Sequence, residues 1–236
     1  MIANALQLHA HAREGRTVVG RIRAEGLCRA SRPFREGAAT RVVVSQLGPG
    51  LVRGDAFTSG GRIEAGAHLI VAGQMATRVL SGPDTVTTAA VWDVAAGATL
   101  ELAAEPTLVC AGASYASRTE LRLEPGARAV IVDLVHRERG AALTVATVAR
   151  RVDRLALHDV VRFDPDDADA GAIGTLAVFG AHAGLAALDS AADRCAAVRI
   201  GVDVLRDGDL LARVVGERVW DVREALDALR RAATSG

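Results

Sequence analysis

The chain has 236 residues, half of them apolar, and equal numbers of basic and acidic side chains give it a formal net charge of zero. This length suffices for one large domain or two small ones, and the lack of a basic excess excludes an electrostatic footprint for nucleic acid or an anionic membrane. Aromatic residues make up only 3%, so the core must be filled mainly by Val, Leu, Ile and Ala, which favours strands.

The three cysteines, Cys28, Cys110 and Cys195, lie far apart without a Cys-x-x-Cys pair. This spacing predicts buried thiols rather than a disulfide framework or a zinc site. No apolar run reaches the 18 residues of a membrane span, and the amino terminus lacks the pattern of a secretion signal. We therefore expect a cytoplasmic protein.

The first third of the chain combines strand-like runs with glycine-rich connections. Residues 17–22 and 41–45 are predicted strands, and residues 26–37 are a predicted connection because they contain Gly and Pro. Residues 48–55 superficially resemble a phosphate loop. They lack the Gly-Lys-Ser/Thr ending, and no helix pattern follows, so we predict a loop and no nucleotide site.

One phrase then occurs three times, in residues 63–70, 94–101 and 123–130. Its Gly-Ala pairs begin at Gly66, Gly97 and Gly126, at steps of 31 and 29 residues. In each copy an apolar run ends at a small-residue turn and another begins, which predicts strand, tight turn and strand. The regular spacing predicts stacked β units.

The remainder mixes strands and helices. Residues 144–148, 155–161 and 174–179 are predicted strands, and residues 198–205 and 210–215 are a predicted hairpin around Asp207-Gly208. The acidic segment 164–169 lacks the glycine and terminal Glu of an EF-hand, which favours a solvated turn over a Ca²⁺ site.

Two helices are predicted, over residues 181–197 and 219–232. In the second, Asp221 and Glu224 resemble a capping box, and its apolar face would pack on the sheet or on a partner.

The sequence contains no nucleophile placed beside a base, which argues against an enzyme. Two weaker possibilities remain. The pair His9 and His11 could hold a metal, although such a pair near a terminus is more often fortuitous. An enzyme of unknown type could use Asp133 and His136.

Three acidic residues stand in apolar strand context: Glu101, Asp133 and Asp159. A charge in a strand buried on both faces is costly unless it is paired or hydrated. Each acid could therefore face solvent or pair with one of the many arginines. Alternatively, together they could line a water-filled passage for a divalent cation.

The ordered set of short motifs resembles the urease accessory protein D family, a nickel-insertion chaperone. Residues 50–55, 66–71 and 74–79 correspond to its "GG-apolar-apolar-GGD", "GA-x-L" and "QAATK" segments. The resemblance extends from residues 32–34 to the closing helix at 219–229, through residues 97–101, 112–113, 129–134 and 173–176. The chain departs from the family pattern at Arg53, at Ala103-Ala104 and over residues 136–140.

The resemblance implies a single domain, residues 1–236, that is mainly β. The family fold has stacked, helically arranged β-sheets in two layers, like a β-helix, with two α-helices. It implies no catalysis and no tightly bound cofactor, only transient Ni²⁺. The protein would be a scaffold and conduit that delivers Ni²⁺ from the accessory GTPase into apo-urease, in a complex with urease accessory proteins F and G. The alternative is an interaction scaffold without direct metal passage, whose last helix docks a partner.

The resemblance also assigns candidate site residues one by one. Asp55 matches the Asp that closes the GGD motif, Glu101 follows the second Gly-Ala pair, and Asp133 lies in the third repeat. Asp159 falls about where the family has an acid beside the tunnel. These four are the candidate metal residues, and the candidate tunnel or partner contacts are Thr77, Arg78 and His158.

Overall fold

The computed structural model describes residues 3–52, 54–152, 154–168, 171–180, 185–193 and 195–234. Within them strands dominate, and two helices occur. In chain order the elements are β1 (Ala3–Arg13), β2 (Arg16–Glu25), β3 (Cys28–Ala30), β4 (Phe34–Glu36), β5 (Ala39–Gln46), β6 (Ala56–Ile63), β7 (His68–Gly73), β8 (Thr77–Val79), β9 (Val86–Val94), β10 (Thr99–Ala103), β11 (Thr107–Val109), β12 (Ser114–Leu123), β13 (Arg128–Arg137), β14 (Ala142–Arg151), β15 (Arg154–Phe163), β16 (Gly171–Phe179), α1 (Leu185–Ala192), β17 (Arg199–Val204), β18 (Leu210–Gly216) and α2 (Val219–Thr234).

The strands form two facing sheets. In the first sheet the spatial order is β15-β14-β12-β9-β6-β1-β2, and in the second it is β17-β18-β16-β13-β10-β7-β5-β3. Strands of successive repeats pair in parallel in both sheets: β6 with β9, β9 with β12, β7 with β10 and β10 with β13. The prediction of a mainly β protein with stacked, helically arranged sheets is confirmed.

The Gly-Ala phrases are the corners of this stack. At each corner the chain leaves a strand of the first sheet and enters one of the second, so the turn joins the layers and does not close a hairpin. Gly66, Gly97 and Gly126 all have φ near +70°, a conformation that L side chains rarely adopt. The same turn hydrogen bond recurs, for example from the Ala98 N–H to the Ala95 carbonyl at 3.0 Å.

Helices α1 and α2 cover the outer face of the second sheet. The apolar face of α2 is fully buried against β13, β16 and β18, so it packs on the sheet of its own chain and is not available to a partner. The approach is closest at Gly174 of β16, where a Cβ atom would lie 2.5 Å from Leu226 Cδ1 and 2.9 Å from Val222 Cγ1. The second sheet is therefore buried on both faces along these strands.

Most predicted elements are present, with three differences. The predicted connection 26–37 contains β3 and β4, two short strands that pair with β5. The hairpin of β17 and β18 is joined by a longer connection with a 3₁₀ turn at Arg206–Gly208. Helix α2 begins at Val219, so Asp221 lies inside its first turn and forms an ion pair with Arg218 at 2.7 Å instead of capping the helix.

Helix α1 spans Leu185–Ala192, inside the predicted 181–197; residues 181–184 and 194 lie outside the described part of the chain. The turn at Asp164–Asp167 is as predicted, and Asp169 also lies outside the described residues. In the part of the chain that the structure describes, no helix has the length and apolar character needed to cross a membrane.

We expect Gly174→Val to lower the free energy of unfolding by about 1–3 kcal/mol, because the new side chain would overpack the contact between β16 and α2. Gly201→Val on β17 is the matched control, since a Cβ there meets nothing within 4 Å. Urea denaturation of both variants measures the difference. Equal stabilities would show that the close approach of α2 does not require glycine.

Candidate functional site

The space between the two sheets has an apolar cluster at each end, and in the middle polar side chains stand among apolar ones. One apolar cluster lies beside the Gly-Ala corners and includes Ile63, Trp92 and Leu123. Another lies at the opposite corners and includes Val109, Ala113 and Leu143. Between them is a cavity of about 240 Å³.

Small residues leave this space open. Its lining residues include Gly73, Ala89, Ala90, Ala103 and Ala104. Packed sheets lie about 10 Å apart, and these side chains are too small to fill that distance. Ala103-Ala104, where the sequence departs from the family pattern, therefore lies in the cavity wall. At one rim is Met75, whose side chain is 75% exposed.

We call the polar side chains of this zone the polar layer. Some of them line the cavity, and the others lie beyond it, toward the sheet edges formed by β15 and β17. Its members are Thr88, Tyr115, Ser117, Thr119, Thr147 and Asp159 in the first sheet, and Thr77, Thr107, Asp133, Thr175 and Arg213 in the second.

Asp133 and Glu105 both border the cavity, and Asp133 is the acid that lies within a strand of the second sheet. It lies on β13 among apolar neighbours, and part of its surface faces the cavity. Burial raises the pKa of its carboxyl, while the N–H of Leu134 and the charge of Arg213 act in the opposite direction with less effect. The protein thus places here a carboxylate whose charged form is disfavoured.

Tyr115 lies near Asp133 on the opposite sheet. Its hydroxyl is 2.8 Å from Thr88 Oγ1. Burial raises the pKa of Tyr115, and the charge of Asp133 raises it further. Hydroxyl groups therefore surround the approach to the Asp133 carboxylate.

Asp159 lies in the same polar layer but is paired. Arg213 Nη2 donates to both oxygens of Asp159, at 2.6 and 2.5 Å, across the gap between the sheets. Arg213 Nη1 also donates to Thr175 Oγ1 at 2.6 Å. Thr175 is the register partner of both Asp133 and Arg213, so these three residues form one row across β13, β16 and β18.

Glu101 is placed elsewhere, on the outer face of the second sheet beneath α2. His68 Nε2 lies 2.8 Å from its Oε1, and Arg230 Nη1 donates to its Oε2 at 3.1 Å. The hydrogen bond with His68 lowers the pKa of Glu101, with a further contribution from Arg230. Its surroundings suit a carboxylate that holds the last helix on the sheet.

Asp55 is also separate from the cavity. It is buried, and its Oδ2 accepts a hydrogen bond from the Val52 N–H at 3.0 Å, which closes the turn before β6. Asp133 and Asp159 thus share the polar layer, whereas Glu101 and Asp55 do not join it. The assignment of all four as metal residues stays a prediction.

The remaining candidate contacts divide in the same way. Thr77 lines the cavity. Arg78 is exposed, with Nη2 at 4.0 Å from Cys110 Sγ. His158 is exposed on the outer face of the first sheet, because neighbouring residues of a strand point to opposite faces and Asp159 points inward.

The two metal or enzyme alternatives gain no support from the geometry. Asp133 and His136 are three residues apart on one strand and point to opposite faces of the sheet. His9 and His11 lie side by side with ring centroids 6.0 Å apart, and His9 Nε2 is 3.2 Å from Glu64 Oε1. Among the residues described, no group of three or more His, Cys, Asp or Glu side chains is arranged to hold a metal ion.

Sequence reasoning missed Arg213, Thr175 and Tyr115. Arg213 is one of many arginines, and its partner Asp159 is 54 residues away in the chain, so no local pattern identifies the pair. Tyr115 offered a signal, since it is the one tyrosine in the sequence, but no strand was predicted at its position. Of the three cysteines, only Cys28 is fully buried, and burial raises the pKa of its thiol.

Comparison with known proteins relates this chain to a family and to a relative. The family model described as UreD urease accessory protein matches residues 3–235. The chain is also similar to the urease accessory protein UreD of Bacillus sp. (strain TB-90), with 26% identity over 232 residues that cover 89% of this chain and 86% of that protein.

We expect Asp133→Asn to be more stable than wild type at neutral pH. The pKa of Asp133 is raised above its ordinary value of 3.8, so the folded protein loses stability as pH rises above that value. Asn removes this titration, and the advantage of the variant should vanish in acid below that value. Chemical denaturation across the pH range measures it.

Glu101→Gln should behave in the opposite way. The pKa of Glu101 is lowered, so its contribution is present above 4.5 and is lost as pH falls through the folded-state pKa. We expect this variant to lose about 1–2 kcal/mol at neutral pH and little in acid. If both variants showed the same sign at neutral pH, the contrast between the two carboxylates would be wrong.

Proposed function

The chain belongs to the UreD urease accessory protein family, and from this premise we propose that it is the conduit through which Ni²⁺ reaches apo-urease. It is an accessory protein, not an enzyme. In the proposal it acts in a complex with urease accessory proteins F and G, and the GTPase G supplies the ion. The cavity between the two sheets, along its polar side chains, is the proposed path.

The observation that carries this proposal is Asp133. A buried carboxylate with a raised pKa lowers stability, so its presence at the end of a polar cavity calls for a role other than packing. Ni²⁺ is a borderline cation that accepts oxygen ligands, and it requires the deprotonated carboxylate. Because burial disfavours the isolated charge on Asp133, the carboxylate gains from the positive charge of a passing ion.

The other members of the polar layer fit a passing ion better than a resident one. Thr77, Thr88, Ser117 and Tyr115 supply neutral hydroxyl groups, which can hydrogen-bond to the water shell of an ion without holding it. A tight resident site would need several charged or imidazole ligands together. Weak, successive contacts allow the ion to enter and to leave.

We expect Asp133→Asn to lower urease activation by at least tenfold in a reconstituted mixture of apo-urease, the accessory proteins and Ni²⁺. The variant keeps the size of the side chain but removes the charge that attracts the ion. Co-purification with accessory protein F should be unchanged. Asp203→Asn on the exposed face of β17 is the matched control and should activate fully.

Full activation by Asp133→Asn would contradict the conduit. Loss of activation together with loss of the complex would instead point to a structural role for Asp133. If the complex is lost, the stability of Asp133→Asn across the pH range shows whether the variant is folded, and so separates a structural role from misfolding.

A second candidate function is an interaction scaffold without metal passage. The observation in its favour is Trp220, whose side chain is 75% exposed on α2 and has the character of a contact residue at protein interfaces. Under this alternative Trp220→Ala weakens co-purification and activation together, and Asp133→Asn affects neither. Removal of all of α2 is not a useful test, because its buried face belongs to the core of the second sheet.

A further inference from the structure

Arg213 lies beyond Asp133 in the polar layer, at the position that a cation leaving Asp133 would reach. Asp133 lines the cavity, whereas Asp159, Thr175 and Arg213 lie beyond it, toward the sheet edges formed by β15 and β17. Arg213 is two strands from Asp133 in the same row, which corresponds to about 10 Å between Cα atoms. Its charge acts on the Asp133 carboxyl and its guanidinium binds Asp159.

A guanidinium bound to both oxygens of a carboxylate competes with any metal ion for that carboxylate. Arg213 Nη2 contacts Asp159 Oδ1 and Oδ2, so Asp159 is neutralised and its oxygens are engaged. A divalent cation that had reached Asp133 would meet a positive charge in front of the next acid. Two cations in a partly buried space repel one another strongly.

The pair also has the means to open. The side chains of Arg213 and Asp159 are 26% and 17% exposed, and β15 is an edge strand while β18 lies next to the edge strand β17. Both side chains are therefore in contact with solvent at the sheet edges. Thr175 is its remaining tether on the second sheet.

We propose that Arg213 is the gate of the passage beyond Asp133. In the resting protein its guanidinium holds Asp159 and blocks that carboxylate from Ni²⁺. When the ion arrives from the Asp133 side, it displaces the guanidinium, and Asp159 accepts the ion. This inference rests on the proposed conduit, since it assumes that Ni²⁺ reaches Asp133.

The test compares Ni²⁺ binding by purified wild type, Arg213→Gln and the double variant Arg213→Gln/Asp159→Asn, using titration calorimetry with Ni²⁺ alone. The gate predicts at least tenfold tighter binding by Arg213→Gln, because Asp159 becomes available. The double variant should return to wild-type affinity. A purely structural ion pair predicts no gain in affinity in any of them.

A matched control is Arg151→Gln. Arg151 forms an ion pair with the more deeply buried Asp209, at 2.7 Å, outside the polar layer, and the Gly180 N–H also donates to Asp209. Removal of Arg151 takes a guanidinium from a carboxylate that has no second acid beside the cavity, so Ni²⁺ affinity should not change. An equal gain in both single variants would overturn the gate, because it would show that any freed acid binds the ion.

Arg213→Lys keeps the measurement possible if Arg213→Gln does not fold. Lysine retains the charge but lacks the fork that holds Asp159 and Thr175 at once, so a smaller gain than with Arg213→Gln is expected. Added Ni²⁺ should raise the melting temperature of the folded Arg213 variants more than that of wild type. Wild-type affinity in every folded Arg213 variant would overturn the proposal.

Urease activation separates this inference from the proposed function. If Asp133→Asn lowers activation but Arg213→Gln binds Ni²⁺ as wild type does, the conduit stands and the gate is wrong. If Asp133→Asn activates fully, the conduit fails, and the gate fails with it as a step in delivery even where Arg213→Gln binds more tightly. With both correct, Arg213→Gln retains more Ni²⁺ in the complex and activates urease more slowly.

Discussion

Backbone pairing in a fixed register is the constraint on which the rest of the structure depends. Because each corner turn repeats the one before it, every inward position of one strand lies beside the same position of the next. The antiparallel pairs that follow the repeats, β13 with β16, β16 with β18 and β14 with β15, also align inward positions. Asp133, Thr175 and Arg213 therefore form one row, and Thr119, Thr147 and Asp159 form its counterpart in the opposite sheet. The polar layer therefore results from strand register and from polar residues at a few inward-facing positions.

The three strand acids show how surroundings determine what a carboxylate can do. Glu101 is held by His68 and Arg230, and its lowered pKa contributes to stability. Asp159 is neutralised by Arg213. Asp133 keeps a raised pKa, because burial outweighs the nearby positive charge. Of these three acids, Asp133 is the one that lines the cavity, which is why the proposed path begins there and not at Glu101.

The repeats predicted the stack and most of its strands, because a fixed period with small-residue turns admits few other arrangements. The same pattern could not tell Glu101 from Asp133. Both have apolar neighbours on each side, because the second sheet is covered by the first sheet on one face and by the helices on the other. In such a sheet, alternation of polar and apolar residues no longer indicates the face to which a residue points. What each acid contacts depends on which element covers its face of the sheet, and that is decided by tertiary packing. Arg213 was beyond prediction for a similar reason, as its partner lies on the opposite sheet.

The attachment of α2 has a mechanical consequence. Arg223 of α2 donates two hydrogen bonds to Glu105, both at 2.7 Å. Glu105 lines the cavity, and its backbone passes so close to Gly73 that a Cβ there would lie 2.9 Å from the Glu105 nitrogen. A shift of α2 by more than a hydrogen-bond length must therefore break this ion pair or carry the rim of the cavity with it. Movement of α2 and the width of the cavity are therefore coupled.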